Sequence, residues 1–588
     1  MKAIDPICGM PIETETAAFS ADIRGETYYF CSEQHMHTFL NGSWIAYFSM
    51  EVGLKSNIPT YSGGLGVLAG DTIRSSADLR IPLVAVTLVS RKGYLKQRIT
   101  DEGEQQGYPD EWRPEEYTRL LPETVTVQIE GRDVIVQAWY HDHWSLSGGL
   151  VPVLFLDTDH DGNERADRRI TDVLYGGDSR YRLKQAIVLG IGGVKMLDAL
   201  KFRITKYHMN EGYSSLLTLE LLRRNGFDAD RTRETCVFTT HTPVSAAFAT
   251  YAYDDALSAL TFPADELRRY GGQDRLNLTL LALNLSKYVN GVGKTHREYS
   301  RKLFPGYYIR GITNGVHPYT WACPPFREVF DRYIPGWANE PELLVRVDKI
   351  PHDVIQDAHI MAKRALIDEI NEQNGAGLDL GTLTIGFARR MTAYKRAVLL
   401  FSDLERLREI ADQKPLQLVF SGKAHPEDAG GRELIREIHR YRAELAGEIE
   451  VVYLPNYSMD LAGRLTSGVD LWLNTPLPPF EASGTSGMKA AINGVVNFSV
   501  LDGWWREGCI EGVTGWAIGP DPGEPMSERE RREREIRDLY SKLEYVIGPL
   551  FYGMKDTWTD LMKNSVGKVA YYFNSHVMMR RYATEAYL

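Results

Sequence analysis

The sequence predicts an α/β protein in which two doubly wound, Rossmann-like lobes face each other across a central cleft, preceded by a small α+β module. Three observations carry this. A chain of 588 residues is too long for one hydrophobic core. Short apolar runs alternate with helical patterns through the first half and again through the second. Polar or glycine-rich turns follow those runs, where open α/β sheets collect their ligands. The expected limits are residues 1–41 for the module, 42–315 for the first lobe and 316–588 for the second, with C-terminal helices free to pack back on the first.

Composition narrows the function. Hydrophobic content of 43% and charged content of 25% are ordinary for a globular protein. A net charge of −11 argues against nucleic acid as the partner. The longest apolar run, residues 81–89, is far short of the ~20 residues that span a bilayer. Met1 is not followed by a charged and then apolar leader, so the expected location is the cytoplasm, with no membrane partner. Five cysteines in so long a chain do not make a disulfide framework.

In the module, strand-like runs flank Gly25 and lead into a helix, a hairpin-then-helix pattern. Cys31 and His35 are spaced i, i+4 on one helical face, and Cys8 adds a second thiol. Two thiolates and an imidazole suit a soft metal, zinc or copper; two merely buried cysteines are the plainer alternative.

The first lobe opens with an apolar strand ending at Ser49-Met50-Glu51. Ser62-Gly63-Gly64-Leu65-Gly66 then leads into a helix through Leu79, followed by a strand over 82–89. Glycines at a helix start let N–H groups face an anion. Later strands end at Tyr207-His208-Met209-Asn210-Glu211-Gly212, at Thr240-His241-Thr242 and at Thr313-Asn314-Gly315, which places His208, Asn210, His241 and Asn314 at carboxyl ends.

The second lobe begins after a long helix over 353–374, with strands expected at 383–388, 417–420, 450–454, 471–473 and 495–498. Its first strand ends in Arg389-Arg390-Met391-Thr392-Ala393-Tyr394-Lys395-Arg396, where Arg390 and Lys395 could clamp an anion. Ser421-Gly422-Lys423-Ala424 adds a cation to the same rim. The Glu- and Arg-dense run at 527–537 reads as a solvated helix face. Glu481-Ala482-Ser483-Gly484-Thr485-Ser486-Gly487-Met488-Lys489 joins a carboxylate, small residues and a lysine opening an apolar run. Thr485 or Ser486 could cap a helix from about Gly487, and a lysine in such surroundings is a candidate for Schiff-base chemistry.

Taken in order, the Gly63-Gly64 turn, Thr240-His241-Thr242, Thr313-Asn314-Gly315, Arg390 to Arg396, Gly422-Lys423-Ala424 and Glu481 to Lys489 resemble the α-glucan (glycogen/maltodextrin) phosphorylases, in their short microbial type. The resemblance implies a GT-B architecture, bound pyridoxal 5′-phosphate, and retaining phosphorolysis of terminal α-1,4 bonds to α-D-glucose 1-phosphate. By motif match, Lys489 would carry the cofactor as a Schiff base. Thr485 and Gly64 would contact it, and Lys395 would lie near both cofactor phosphate and substrate phosphate. Arg390 and the Gly63-Gly64 turn would hold the substrate phosphate. Arg390, Lys395 and His241 would form the catalytic set, with Glu481, Ser483, Gly484, Asn314 and Asn210 toward the glucosyl unit. Partners would be α-glucan and inorganic phosphate, and a homo-oligomer is compatible. The first forty residues resemble the YHS (TRASH-like) metal-associated module, which usually has cysteine where His35 stands. Tyr213 and Thr392-Ala393 also depart from close or long-type phosphorylases.

Two other readings compete. Nucleotide-sugar glucosyltransferases of the glycogen/starch synthase kind share the two-lobe plan, but there a second glutamate stands where Lys489 lies here, and lysine cannot accept ribose hydroxyl hydrogen bonds. A non-catalytic, metal-responsive glucan-binding protein is disfavoured by the retained Arg390, Lys395 and Lys489.

Overall fold

A computed structural model describes residues 2–23, 26–244 and 248–588. The architecture is mixed α/β, built on two large sheets. The first has nine strands, in the spatial order Arg310–Gly311, Tyr288–Gly291, Cys236–Thr239, Arg203–Asn210, Ser43–Ser49, Leu83–Leu88, Leu150–Asp157, Arg132–Trp144 and Arg119–Ile129. The first seven run parallel, and the last two are added antiparallel at one edge. The second has six parallel strands, ordered Val451–Leu454, Leu416–Ser421, Leu383–Ala388, Leu471–Asn474, Val496–Val500 and Gly515–Ile518. The earliest strand of each series lies inside its sheet with later strands on both sides, so each sheet has a switch point. Central strands such as Leu83–Leu88 are buried at every position, as a sheet covered on both faces requires.

The long antiparallel pair Arg119–Ile129 and Arg132–Trp144 and the sixth strand, Gly515–Ile518, were not among the expected elements. After the strand ending at Asn210, a single 3-10 turn at Gly212–Ser214 precedes the α-helix Leu217–Arg224. Helix Glu528–Lys542 is mostly solvated as expected, yet Glu535 is buried and pairs with Arg396 at 2.5 Å. Charge density along a sequence does not reveal which residue of a helix turns inward.

In the module, strands Phe19–Ile23 and Glu26–Phe30 pair antiparallel ahead of helix Glu33–Asn41. Gly25, the expected turn residue, lies outside the described residues. The module packs on the first sheet: Tyr28, Phe30 and Phe39 share a core with Trp44 and Tyr140, and the Tyr28 hydroxyl donates to Asp142 at 2.8 Å.

Among the contacts that join the two sheet systems, three bear most on the site. Helix Ser575–Tyr582 returns to the first sheet, where the Tyr582 hydroxyl meets Thr239 and Asn290 and the Tyr587 hydroxyl meets His208. The hairpin Lys96–Ile99/Gln105–Tyr108 reaches the second: Gln97 donates to the Gly422 carbonyl at 2.8 Å, and Gln105 exchanges two bonds with Ala424. Glu507 supplies the third, described below. No helix among the described residues is long and apolar enough to cross a membrane.

Glu535→Ala leaves the mostly enclosed Arg396 guanidinium, whose side chain is 10% exposed, without its carboxylate. We expect it to destabilise the protein by about 3 kcal/mol in chemical denaturation, whereas neutralising exposed Glu533 of the same helix changes stability by less than about 0.5 kcal/mol.

Candidate active site

The carboxyl ends of both sheets face a cavity of about 280 Å³. It is lined by Gly63, Gly64, His241 and Asn314 from the first series, and by Arg390, Lys395, Glu481, Ser483, Gly484, Thr485 and Lys489 from the second. Asn210 does not line it.

Lys489 lies in helix Ser486–Ala491, buried, with Nζ 3.8 Å from the centre of the Trp321 ring. The Trp321 indole N–H donates to Asp71 at 2.8 Å, and Asp71 pairs with Arg74 at 3.0 Å. Among the described residues no carboxylate forms an ion pair with Lys489. Burial therefore pushes its ammonium from near 10.5 to about 8, and Asp71 offsets part of this. Neither expected cap operates. Thr485 is helical and makes no cap bond, and the Ser486 hydroxyl accepts from the Trp472 indole at 3.1 Å.

The cations are divided between paired and unpaired. Lys395 and Arg389 converge on one oxygen of Glu481, Arg389 at 3.0 Å. Although burial by itself raises Glu481, these two hold its carboxyl below the usual range. Arg389 keeps Nε and Nη1 buried without hydrogen-bond partners among the described residues. Arg390 lines the cavity with an exposed side chain, in the electrostatic reach of Tyr394, Glu51, Tyr94 and Tyr175, and forms no ion pair among the described residues. Sequence reading favoured Arg390 over Arg389, but adjacency cannot say which of two neighbouring cations faces a ligand. Here both reach the site.

Glu51, at the carboxyl end of Ser43–Ser49, shapes the glycine turn. Its carboxylate accepts from Ser62 N at 2.6 Å, Gly63 N at 3.2 Å and the Tyr175 hydroxyl at 3.0 Å. The glycines then differ in kind. A Cβ on Gly66 would lie 2.7 Å from the Glu51 carboxylate, so Gly66 is required by packing. A Cβ on Gly64 would meet nothing within 4 Å, and one on Gly63 would approach Arg390 at 3.8 Å. The protein does not need glycine there; the emptiness before helix Gly64–Asp78 belongs to the cavity.

His241 donates from Nε2 to Asn210 Oδ1 at 2.6 Å, Asn210 Nδ2 donates to Ser49 Oγ at 3.0 Å, and Ser49 donates to the Glu51 carbonyl at 2.7 Å. This chain sets the tautomer and leaves Nδ1 as the acceptor. Burial pushes the ring down to about 3, so it is neutral at physiological pH. Asn210 thus stands behind His241. His208 is structural, bonded to Tyr587 and Thr239. Among the described residues, Asn314 Oδ1 and Ser483 Oγ are buried without partners.

In the module, Cys8 Sγ lies 3.6 Å from Cys31 Sγ, and His35 Nδ1 lies 3.3 Å from Cys31 Sγ. Asp5, which sequence reading missed, organises them: fully buried, it accepts from the backbone N–H of Ile7, Cys8 and Cys31 and meets His35 at 3.0 Å. Against the pull of burial, those N–H groups and His35 bring Asp5 down to about 2. The four ligand atoms lie within 4.8 Å of one another.

A family model described as carbohydrate phosphorylase matches residues 264–507. The chain is 37% identical to the maltodextrin phosphorylase of Thermococcus litoralis, over 92% of this chain and 70% of that protein. The chain belongs to the carbohydrate phosphorylase family. Glycogen phosphorylases of Mycobacterium tuberculosis, at 34% identity, and Aquifex aeolicus, at 33%, also align with 92% of this chain and with 70% and 86% of their own lengths. Residues 3–42 match the YHS domain model.

Two outcomes follow. The unfolded chain binds more protons than the folded one between about pH 8 and 10.5, so the penalty for burying Lys489 is full below pH 8 and fades as pH rises through that window. Lys489→Met is expected to stabilise the cofactor-free protein at pH 7 by roughly 2–3 kcal/mol, with the gain vanishing near pH 10.5, read as melting temperature against pH. Gly66→Ala is expected to lower the melting temperature, while Gly64→Ala leaves it within about 2 °C of the parent.

Proposed function

We infer that this chain catalyses phosphorolysis of terminal α-1,4-glucosidic bonds of glycogen or maltodextrin, releasing α-D-glucose 1-phosphate with retained configuration. The observation that carries the reading is the open space at Gly63 and Gly64, facing unpaired Arg390 on one side of the cavity with the low-pKa Lys489 lining the same cavity.

The same surroundings fit pyridoxal 5′-phosphate. A buried lysine whose ammonium is pushed down to about 8 gives up its proton far more readily than a free lysine and is suited to hold an aldehyde covalently, and Nε and Nη1 of Arg389, unpartnered among the described residues, supply donors for a phosphate. Lys489 would hold the cofactor, with Thr485, Gly64, Arg389 and Lys395 around it. When bound, it supplies a second phosphate group that gives and takes protons beside the substrate phosphate.

The protein's own groups do the rest. The N–H of Gly64 and the Arg390 fork bind inorganic phosphate. Asn314, Ser483, Gly484 and Glu481 receive the terminal glucosyl unit, whose hydroxyls satisfy the unpartnered Asn314 Oδ1 and Ser483 Oγ. His241, neutral and backed by Asn210, orients a sugar hydroxyl through its acceptor nitrogen. The substrate phosphate gives its proton to the glycosidic oxygen, the bond from that oxygen to C1 breaks, and a phosphate oxygen bonds C1 on the same face. Arg390 and Lys395 stabilise the charge that develops.

The architecture is accordingly read as GT-B, with limits at 42–315 and 316–588 and a cytoplasmic site of action. A homo-oligomer is compatible. In the YHS-like module, Cys8, Cys31, His35 and Asp5 form a candidate zinc or copper site.

Holoprotein incubated with maltodextrin and inorganic phosphate is expected to yield glucose 1-phosphate, and Lys489→Ala none. Glucose release without phosphate, or use of a nucleotide sugar as donor, would overturn the reading. For the module, about one equivalent of zinc or copper is expected to survive desalting in the parent and to be lost in Cys31→Ser, by elemental analysis.

A further inference from the structure

Glu507 lies in the short helix Trp505–Gly508 of the second series, but its carboxylate belongs to the first. It accepts from the backbone N–H of Lys294 at 2.8 Å and from the Thr313 hydroxyl at 3.0 Å, with Lys294 Nζ at 3.7 Å. The side chain is only 4% exposed. Lys294 opens the helix Lys294–Leu303, where Gly293 stands at the N-cap with no side-chain cap. The helix is therefore capped from the opposite sheet series, where N–H groups and dipole both favour an anion. A Cβ on Gly293 would lie 3.3 Å from the Glu507 carboxylate and 3.6 Å from the Ala482 carbonyl, so a glycine permits the close approach.

Both ends of this contact reach the glucosyl pocket. Thr313 directly precedes Asn314, whose Oδ1 awaits a partner, and Asn314 N donates to the Val292 carbonyl at 3.2 Å. On the other side, Glu507 N donates to the Trp504 carbonyl at 2.8 Å, and Trp504 N donates to the Ser483 carbonyl at 2.9 Å. Asp502, five residues before Glu507, accepts from Glu481 N and from Gly503 N, each at 2.9 Å. Gly503 has φ of +52°, and a Cβ there would lie 2.3 Å from the Ser483 carbonyl. Residues 502–507 are thus one bracket, with Asp502 and Trp504 fixing the Glu481–Ser483 turn and Glu507 gripping the loops that carry Val292 and Asn314.

We propose that Glu507 is a positioning residue for phosphorolysis, holding Asn314 against the Glu481–Ser483 wall so that the glucosyl unit is gripped from both sides. This rests on the function inferred above. The phosphate-binding groups, Gly64 and Arg390, are not among the contacts of Glu507, so its loss acts on the sugar side alone.

The test compares parent, Glu507→Ala, Thr313→Val and the double variant as holoproteins. Maltodextrin phosphorolysis is measured over a range of phosphate concentrations, with melting temperatures in parallel. Glu507→Ala is expected to lower kcat roughly 10- to 100-fold while KM for phosphate stays within about twofold. Thr313→Val, which removes the hydroxyl at nearly constant size, is expected to lower kcat about 3- to 10-fold with the same unchanged KM. The double variant is expected to lose no more than Glu507→Ala, because the two groups form one contact. Unchanged kcat, a parallel rise in KM for phosphate, or losses that multiply would overturn the proposal. Should Glu507→Ala fail to fold, Thr313→Val alone decides it. A parent with no phosphorolysis would instead strike the function on which this role rests.

Discussion

The structure depends on holding one polar helix, Gly64–Asp78, in the interior. Residues from Gly66 to Ala77 are all buried, including Asp71, Thr72, Arg74, Ser75 and Ser76. Such a helix cannot be kept in place by a hydrophobic stripe alone, so its polar groups must each find partners. Arg74 answers the carbonyls of Gly53 and Leu54 as well as Asp71, and Ser75 meets Ser575 at 2.5 Å. At its C-terminal end Asp78 accepts from His317 at 2.6 Å, while His317 Nδ1 accepts from Thr320 N. An N–H facing Nδ1 requires the proton on Nε2, so this Asp–His pair is a hydrogen-bonded strut rather than a metal site. Because the helix is fixed along its length, its first turn faces the cavity at a set angle while Asp71 supports Trp321 beneath Lys489.

Much of this plan was legible in the sequence. Five of the six strands of the second sheet fall where apolar runs predict them, because strands buried on both faces need near-continuous Val, Ile, Leu and Phe. The strand pair at 119–144 was missed because its exposed edge alternates and carries many polar residues, a weaker signal. The site was legible as ordered motifs, and most of the residues picked from them line one cavity. The missing parts act through another residue. Glu51 works on backbone N–H groups, Asp5 behind two cysteines, and Arg389 was hidden by its neighbour, while Asn210, expected toward the glucosyl unit, stands behind His241 instead. Position at a strand's carboxyl end would have flagged Glu51, but no local pattern announces a carboxylate that serves remote amides.

The glycine turn shows why a motif is not a single constraint. Gly66 is dictated by the fold, through the Glu51 carboxylate packed against it, whereas Gly63 and Gly64 border open space that packing does not require. Lys489 shows the same division. Its burial opposes folding at neutral pH, and the cation–π contact with Trp321 recovers part of that loss. Residues that weaken the protein without a structural return mark where function was selected.

The clasp between hairpin Lys96–Ile99/Gln105–Tyr108 and the second sheet is made by neutral amides, Gln97 and Gln105, bonded to backbone groups of Gly422 and Ala424 and to each other at 2.8 Å. Buried amide bonds carry no net charge to titrate and are scarcely screened by ions. The spacing of the two sheet systems on that side therefore leans little on ionic strength, although beside these amides stand the Lys423 ammonium on the Leu95 carbonyl and an exposed Arg436–Glu104 pair at 3.8 Å. A catalyst whose own substrate is a multivalent salt keeps the geometry of its cleft as that salt rises and falls.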